Sequence, residues 1–209
     1  MTNDVNREEL REKYGKKRVP HEWRGTDRLS TLVTTFFGSG MSPKAPGTMG
    51  SLAATVVVYP MAFGAIQLFD MGWGNPFFLL AALIVFFGAI PFVNKAMKDT
   101  GTEDPGWIVI DEVCGIFMTF AFINPGIITD ISRELGFAYA VPLLLVGFGL
   151  FRFFDILKPL GIHRFEKFPR AWGVMADDLL GGIYAGILMV PISYAYLILA
   201  FIVASLKAN

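Results

Sequence analysis

The chain has 209 residues, of which 54% are hydrophobic and only 17% charged, and its formal net charge is zero. A soluble protein carries about 25% charged residues, so this composition argues against a water-soluble domain and for a membrane protein. The single cysteine excludes an intrachain disulfide and a CxxC metal site, and two histidines are too few to suggest a zinc cage.

The first 28 residues form a polar segment with eight cations and six acids. No apolar stretch follows the start, so the segment is not expected to be a cleavable signal peptide. We interpret residues 1–28 as a cytoplasmic extension, either a helix on the membrane surface or a solvated tail. Residues 29–209 then form the membrane-embedded domain.

Long apolar runs follow this extension. At a rise of 1.5 Å per residue, about 18 to 20 residues cross roughly 30 Å of hydrocarbon. A further segment, 107–128, contains Asp111 and Glu112, which are too costly to expose to lipid. It is either a fifth span that begins at the interface or a re-entrant helix. The other predicted spans are 51–69, 76–93, 137–154 and 179–206, so the expected fold is an all-α polytopic bundle of four to five spans.

The distribution of Lys and Arg predicts the orientation of this bundle. With five crossings and a cytoplasmic N-terminus, fifteen of the 18 Lys and Arg residues lie in the inner segments 1–50, 94–106 and 155–178. The outer segments then carry only Arg133 and Lys207. We therefore predict that the N-terminus is cytoplasmic.

Acidic residues gather at the predicted inner ends of the helices. Asp111 and Glu112 come early in the third segment, Asp155 ends the fourth, and Asp177 and Asp178 begin the fifth, where the helix dipole favours negative charge. Carboxylates without His or Cys suit Mg²⁺ or Mn²⁺ better than zinc. We predict that these five acids hold a divalent cation. Further acids expected on the same side are Asp99, Glu103 and Asp104.

The Gly- and Pro-rich stretch 36–51 predicts a tight loop that ends at the first span. Thr48 or Ser51 can cap that helix, its free N–H groups can receive a phosphate, and Lys44 can add positive charge. The stretch lacks the GxxxxGK[ST] pattern of a Walker loop. A plain connector remains the alternative.

The stretch 151–159 carries Arg152, Asp155 and Lys158 at spacings of three, so they share one helix face until Pro159 ends the helix. Asp155 forms either a structural ion pair with one of these cations or a metal ligand, with the cations left for phosphate oxygens. For the last helix, the corresponding alternative is simple capping by Asp177.

Four stretches together resemble the phosphatidylglycerophosphatase A family: 38–52 (GSGMSPKAPGTMGSL), 107–115 (WIVIDEVCG), 151–159 (FRFFDILKP) and 173–182 (GVMADDLLGG). They occur in the family's order, and the resemblance covers about residues 30–205; Gly181 stands where the family often has alanine. It implies a bacterial inner-membrane enzyme with its active site at the cytoplasmic face. The implied reaction is Mg²⁺-dependent hydrolysis of phosphatidylglycerophosphate to phosphatidylglycerol and phosphate. The implied partner is the phospholipid, with no nucleic acid.

The resemblance also implies roles for single residues. The acids would hold magnesium and orient a water for in-line attack, while cations stabilise the phosphoryl charge. One acid could instead be the nucleophile or general base. The implied catalytic and metal-binding residues are Asp111, Glu112, Asp155, Asp177 and Asp178. The candidate phosphate-binding residues are Lys44, Thr48, Ser51, Arg152 and Lys158, with Arg164 as a further cation.

Two other classes of function compete with this one. A cation transporter or channel would place its charges near mid-bilayer, often in repeated halves, whereas these acids cluster at one end. A noncatalytic membrane scaffold would explain the spans but not the acids. The DxD, SGH and DGxxAR patterns of other lipid-phosphate enzymes are absent.

Overall fold

The computed structural model describes residues 26–68, 76–102, 105–159, 162 and 169–208. These residues form helices and no strand, as the all-α prediction requires. The helices are α1 (Arg28–Thr34), α2 (Pro46–Leu68), α3 (Pro76–Thr100), α4 (Ile110–Phe120), α5 (Pro125–Leu135), α6 (Phe137–Leu157) and α7 (Ala171–Ala208), with a 3-10 turn at Ser39–Met41. Most of the predicted extension 1–28 lies outside the described residues, as do Glu103, Asp104 and Arg164.

Four helices, α2, α3, α6 and α7, are long and apolar enough to cross a membrane, and α4 with α5 would make a fifth span. The prediction of four to five spans is therefore confirmed. The last helix begins at Ala171 rather than near residue 179, because Ala171 and Met175 pack in the core and extend it toward its N-terminus. Asp177 and Asp178 thus lie in its second turn. The alternative that Asp177 caps the helix is therefore wrong. The helix dipole favours negative charge only in the first turn, so it does not explain the positions of Asp177 and Asp178.

The third predicted segment is broken into two helices. α4 ends at Phe120, and α5 starts at Pro125 at an angle of 79° to it. Asn124 caps α5 by accepting a hydrogen bond from the N–H of Gly126 at 2.7 Å. Since a proline is favoured in the first turn of a helix and disfavoured inside one, Asn124-Pro125 both ends one helix and begins the next.

Contacts between helix ends show that this broken pair carries the chain across the bundle. α3 ends beside the start of α7, where Asn94 accepts a hydrogen bond from the N–H of Ala171 at 3.2 Å. α6 begins at the opposite end, where the carbonyl of Tyr139 accepts a hydrogen bond from the Tyr196 hydroxyl, late in α7, at 2.7 Å. The chain between α3 and α6 must therefore travel from one end to the other. Of the two alternatives, a broken crossing fits and a re-entrant helix does not.

Helix α4 is the centre of the bundle, with ten of its eleven residues buried. It touches α7 backbone to backbone: a Cβ added to Gly182 would lie 2.4 Å from the carbonyl oxygen of Gly115. Gly182 and Gly186 are four residues apart on α7, the small-residue spacing that lets membrane helices approach closely. This close packing brings the acids of α4 next to those of α7.

Candidate metal centre

Asp111, Glu112 and Asp178 converge at one end of the bundle. One carboxylate oxygen from each lies within 4.8 Å of the other two. Glu112 and Asp178 are only 4% and 3% exposed, and Asp111 is half-buried. Buried carboxylates so close together repel one another unless a cation or protons join them.

Two oxygens of this cluster support a cation. Glu112 Oε2 and Asp178 Oδ2 are buried and have no hydrogen-bond partner among the described residues. Buried polar atoms are nearly always paired with protein, water or an ion, so these two oxygens need a partner. An all-oxygen set of carboxylates fits a hard divalent cation.

The first turn of α4 is positioned by the segment before α2. The N–H of Val109, two residues before Asp111, donates to the carbonyl of Thr34 at 2.8 Å. A Cβ added to Gly47 would lie 2.1 Å from Glu112 Oε1, so glycine leaves room for this carboxylate. The sequence pattern of residues 36–51 predicts a loop whose helix N-terminus can bind phosphate. It did not reveal that Gly47 also makes space for an acid.

Arg152 links the cluster to a fourth acid. Its Nη1 lies 2.6 Å from Asp155 Oδ2 and 3.8 Å from Glu112 Oε1. It also donates to Ser51 Oγ at 3.4 Å. Asp155 thus forms the ion pair with Arg152 that the spacing allowed, and it is also a charged neighbour of Glu112 and Asp178.

Lys158 does not continue the face of Arg152 and Asp155. It lies beyond the end of α6 in a left-handed conformation (φ 44°), which turns its side chain away from the helix register. Its Nζ lies 2.5 Å from Asp177 Oδ2. The prediction of one shared face is therefore wrong for Lys158, because the helix stops before it.

The five predicted acids are thus close but not equivalent. Three form the carboxylate cluster, and Asp155 and Asp177 each face a cation beside it. Asp99 lies elsewhere: it accepts hydrogen bonds from Lys95 and Thr26 at 2.8 and 3.0 Å. Which of the five acids ligate a metal stays a prediction.

The candidate phosphate-binding groups of α2 lie beside this cluster. Because Pro46 starts the helix, Thr48 and Ser51 are inside it and neither caps it, contrary to the sequence-based expectation. The Ser51 hydroxyl instead donates to the carbonyl of Gly47 at 2.9 Å. Lys44 is exposed in the loop before the helix. Phosphate binding by these residues stays a prediction.

Comparisons with known proteins agree on one family. Residues 32–193 match the family profile described as Phosphatidylglycerophosphatase A. A Haemophilus influenzae protein named phosphatidylglycerophosphatase A is 38% identical over 164 residues, covering 78% of this chain and 88% of the relative. An Escherichia coli protein of the same name is 34% identical over 159 residues, covering 75% and 80%.

A Bacteroides thetaiotaomicron protein with the provisional name phosphatidylinositol-3-phosphatase is 37% identical over 163 residues, covering 77% of this chain and 91% of the relative. No solved structure matches the chain significantly. The profile match covers most of the chain and includes every residue of the acid cluster. The chain belongs to the phosphatidylglycerophosphatase A family.

Proposed function

We propose that this chain is a Mg²⁺-dependent lipid phosphatase that converts phosphatidylglycerophosphate to phosphatidylglycerol and inorganic phosphate. Family membership and the names of two relatives support the reaction. The observation that carries the proposal is the buried cluster of three carboxylates at one end of a bundle of apolar helices. Such a site lets the lipid tails stay in the bilayer while the phosphomonoester reaches a polar centre.

Asp111, Glu112 and Asp178 would hold the cation, with Asp155 and Asp177 beside them. Among the described residues this group of three contains carboxylates and no His or Cys, and such an all-oxygen set suits Mg²⁺ or Mn²⁺. Cys114 packs nearby, but its thiol donates to the carbonyl of Ala82 at 3.4 Å. When bound, the metal supplies positive charge for the phosphoryl oxygens and lowers the pKa of a water.

The cations of the site act on the phosphate. Arg152 is only 17% exposed, and its guanidinium is held by Asp155, Glu112 and Ser51, so it is already oriented before a substrate arrives. A planar guanidinium matches two phosphate oxygens at once. Lys158 and Lys44 supply further positive charge from the two flanking loops, and Thr48 offers its hydroxyl and N–H from the first turn of α2.

We place this site at the cytoplasmic face of a bacterial inner membrane. Lys and Arg favour the cytoplasmic side. Five of the described cations lie in or beside segments at the site end of the bundle: Lys44, Lys95, Lys98, Lys158 and Arg170. Five crossings then put the end of α7 on the other side. Labelling of an introduced Lys44→Cys in intact cells and in inverted vesicles tests the orientation: reaction only in inverted vesicles is expected.

Phosphate release from phosphatidylglycerophosphate in mixed micelles tests the function. We expect turnover with Mg²⁺, none with excess EDTA, and recovery on adding Mg²⁺. Asp178→Asn is expected to insert normally but to abolish turnover. Asp130→Asn makes the same chemical change at an exposed acid in α5 and should keep full activity. Normal turnover by Asp178→Asn would remove Asp178 from the metal site.

The substrate itself needs a separate comparison, because one relative carries the name of a phosphoinositide phosphatase. We expect phosphatidylglycerophosphate to be hydrolysed with the higher kcat/KM when it is compared with phosphatidylinositol 3-phosphate under identical conditions. A reversed ratio would keep the lipid phosphatase and overturn its substrate. Absence of phosphate release from both would favour the transporter or scaffold alternatives.

A further inference from the structure

Helix α1 turns its polar side inward and its apolar side outward. Leu29 and Leu32 are 58% and 45% exposed, and Phe37, just after the helix, is 77% exposed. A helix at a water surface shows the opposite arrangement. The buried residues of this segment all carry hydroxyl groups: Ser30, Thr31, Thr34 and Thr35.

The inward hydroxyls need no water. Those of Thr34 and Thr35 each donate to the carbonyl four residues earlier at 2.6 Å, and that of Ser30 donates to Asp27 Oδ2 at 2.7 Å. Hydroxyls bonded to their own helix can pack against apolar neighbours at little cost. The polar groups of the inner face are therefore already hydrogen-bonded, and this face packs against the bundle. Among the described residues, the outer face has no protein partner.

Both ends of α1 are fastened, so its exposed face is not the product of fraying. Asp27 caps the helix by accepting from the N–H groups of Leu29 and Ser30, both at 3.0 Å, and lies 3.0 Å from Lys95 Nζ on α3. The hydrogen bonds from Ser30, followed by that from Lys95, hold the pKa of Asp27 well below its ordinary value. At the other end, Thr34 accepts the N–H of Val109 before α4.

The chain leaves α1 through an unusual turn that exposes an aromatic ring. Phe36 and Phe37 have φ values of 43° and 56°, in the left-handed region that bulky residues seldom adopt. The strain persists in a segment whose two ends are held by α3 and α4. Strained backbone of this kind often serves a function, and here its effect is to project Phe37 outward.

Exposed apolar side chains also occur at the same end of the bundle, at the start of a crossing helix. Met49 and Leu52, in the first two turns of the crossing helix α2, are 42% and 37% exposed. The exposed cations Arg28, Lys44 and Lys98 lie at the same end. Exposed apolar side chains with exposed cations at the same end are the arrangement of a helix that lies in the membrane interface.

We propose that α1 and Phe37 form an interfacial ledge that lies in the boundary between lipid headgroups and acyl chains, beside the metal centre. Its partner is the bilayer lipid itself. Because the Thr34 carbonyl of the ledge accepts the N–H of Val109, two residues before Asp111, the ledge also positions the carboxylate cluster relative to the membrane surface. The proposal rests on the bundle crossing a bilayer and does not depend on the catalytic activity.

Spin labels in liposomes test this proposal without any assay of activity. Cys114 is the only cysteine and is fully buried, so Leu32→Cys and Phe37→Cys can each be labelled, with the unsubstituted protein as background. Ile84 on α3 is 71% exposed, so Ile84→Cys is the lipid reference, and Lys44→Cys is the aqueous reference. Relaxation by oxygen is compared with relaxation by a water-soluble nickel chelate.

We expect labels at positions 32 and 37 to favour oxygen over nickel, at a depth shallower than that of position 84. Nickel accessibility equal to that of position 44 at both sites would overturn the proposal. Spin–spin broadening at position 32 that disappears on dilution with unlabelled protein would also overturn it, since a second copy would then cover the face. Two label sites keep the test valid if one variant fails to fold.

Discussion

The contact between α4 and α7 gives the sharpest structural prediction, because adjacent glycines on α7 provide the variant and its control. A Cβ at Gly182 would lie 2.4 Å from the carbonyl oxygen of Gly115 and 3.0 Å from Met118 Cβ, whereas one at Gly181 would meet nothing nearer than 3.8 Å. Ordinary contact begins near 3.4 Å. Gly182→Ala must therefore push α4 and α7 apart by about 1 Å, whereas the methyl group of Gly181→Ala fits without any shift of the helices.

The cost of Gly182→Ala follows from overpacking against a rigid backbone, about 1 to 3 kcal/mol. For a chain of this size that lowers Tm by about 2 to 12 °C. Because the contact lies one turn from both Glu112 and Asp178, we also expect weaker Mn²⁺ binding, by about 5- to 150-fold if the same free energy is lost there. Gly181→Ala should match the unsubstituted protein in both measurements.

Thermal unfolding in detergent and Mn²⁺ titration by electron paramagnetic resonance are the two assays. Both variants behaving alike would refute the reasoning, since the prediction depends on a 1.4 Å difference between the nearest contacts of two neighbouring residues, 3.8 against 2.4 Å. A lower Tm of Gly182→Ala with unchanged Mn²⁺ affinity would still support the close contact between α4 and α7. It would show that the cluster tolerates a shift of α7.

Three further predictions test the surroundings of the cluster and the docking of α1. Arg152→Lys keeps a positive charge but loses the planar group that reaches Asp155 and Glu112. We expect kcat to fall by about 100-fold while the protein stays folded. An unchanged kcat would contradict a role of the guanidinium in turnover. Gly47→Ala should move the Glu112 carboxylate and weaken Mn²⁺ binding by about tenfold or more without lowering Tm, and equal affinity would show that Glu112 adapts. The pKa of Asp27 is lowered in the folded state, so its contribution to α1 docking is complete above the unfolded pKa of about 3.9 and is lost as the pH falls further. A spin label at position 32 should therefore stay immobile from neutral pH down to about 4 and become more mobile below it. Increased mobility already at about pH 6 would contradict the role assigned to Asp27.

Local sequence patterns are enough to predict the membrane spans and the family resemblance of this protein. The spans are readable because about twenty apolar residues are needed to cross a bilayer, and the helices α2, α3 and α6 overlap the predicted runs. The family resemblance also lies in short contiguous motifs, so it could be read from the chain alone. The Asn124-Pro125 pair is a sequence signal for a helix break, but the segment reads as one continuous span because the residues on both sides are apolar.

Only the tertiary structure decided which acids meet. Asp111, Glu112 and Asp178 cluster because Gly115 and Gly182 let two backbones touch, whereas Asp155 and Asp177 face the cations Arg152 and Lys158. Those distances depend on packing between helices far apart in the chain, which no local pattern encodes. The inward polar face of α1 has the same origin: its hydroxyls are buried because α3 and α4 hold the helix, and its leucines face outward where the bundle meets lipid.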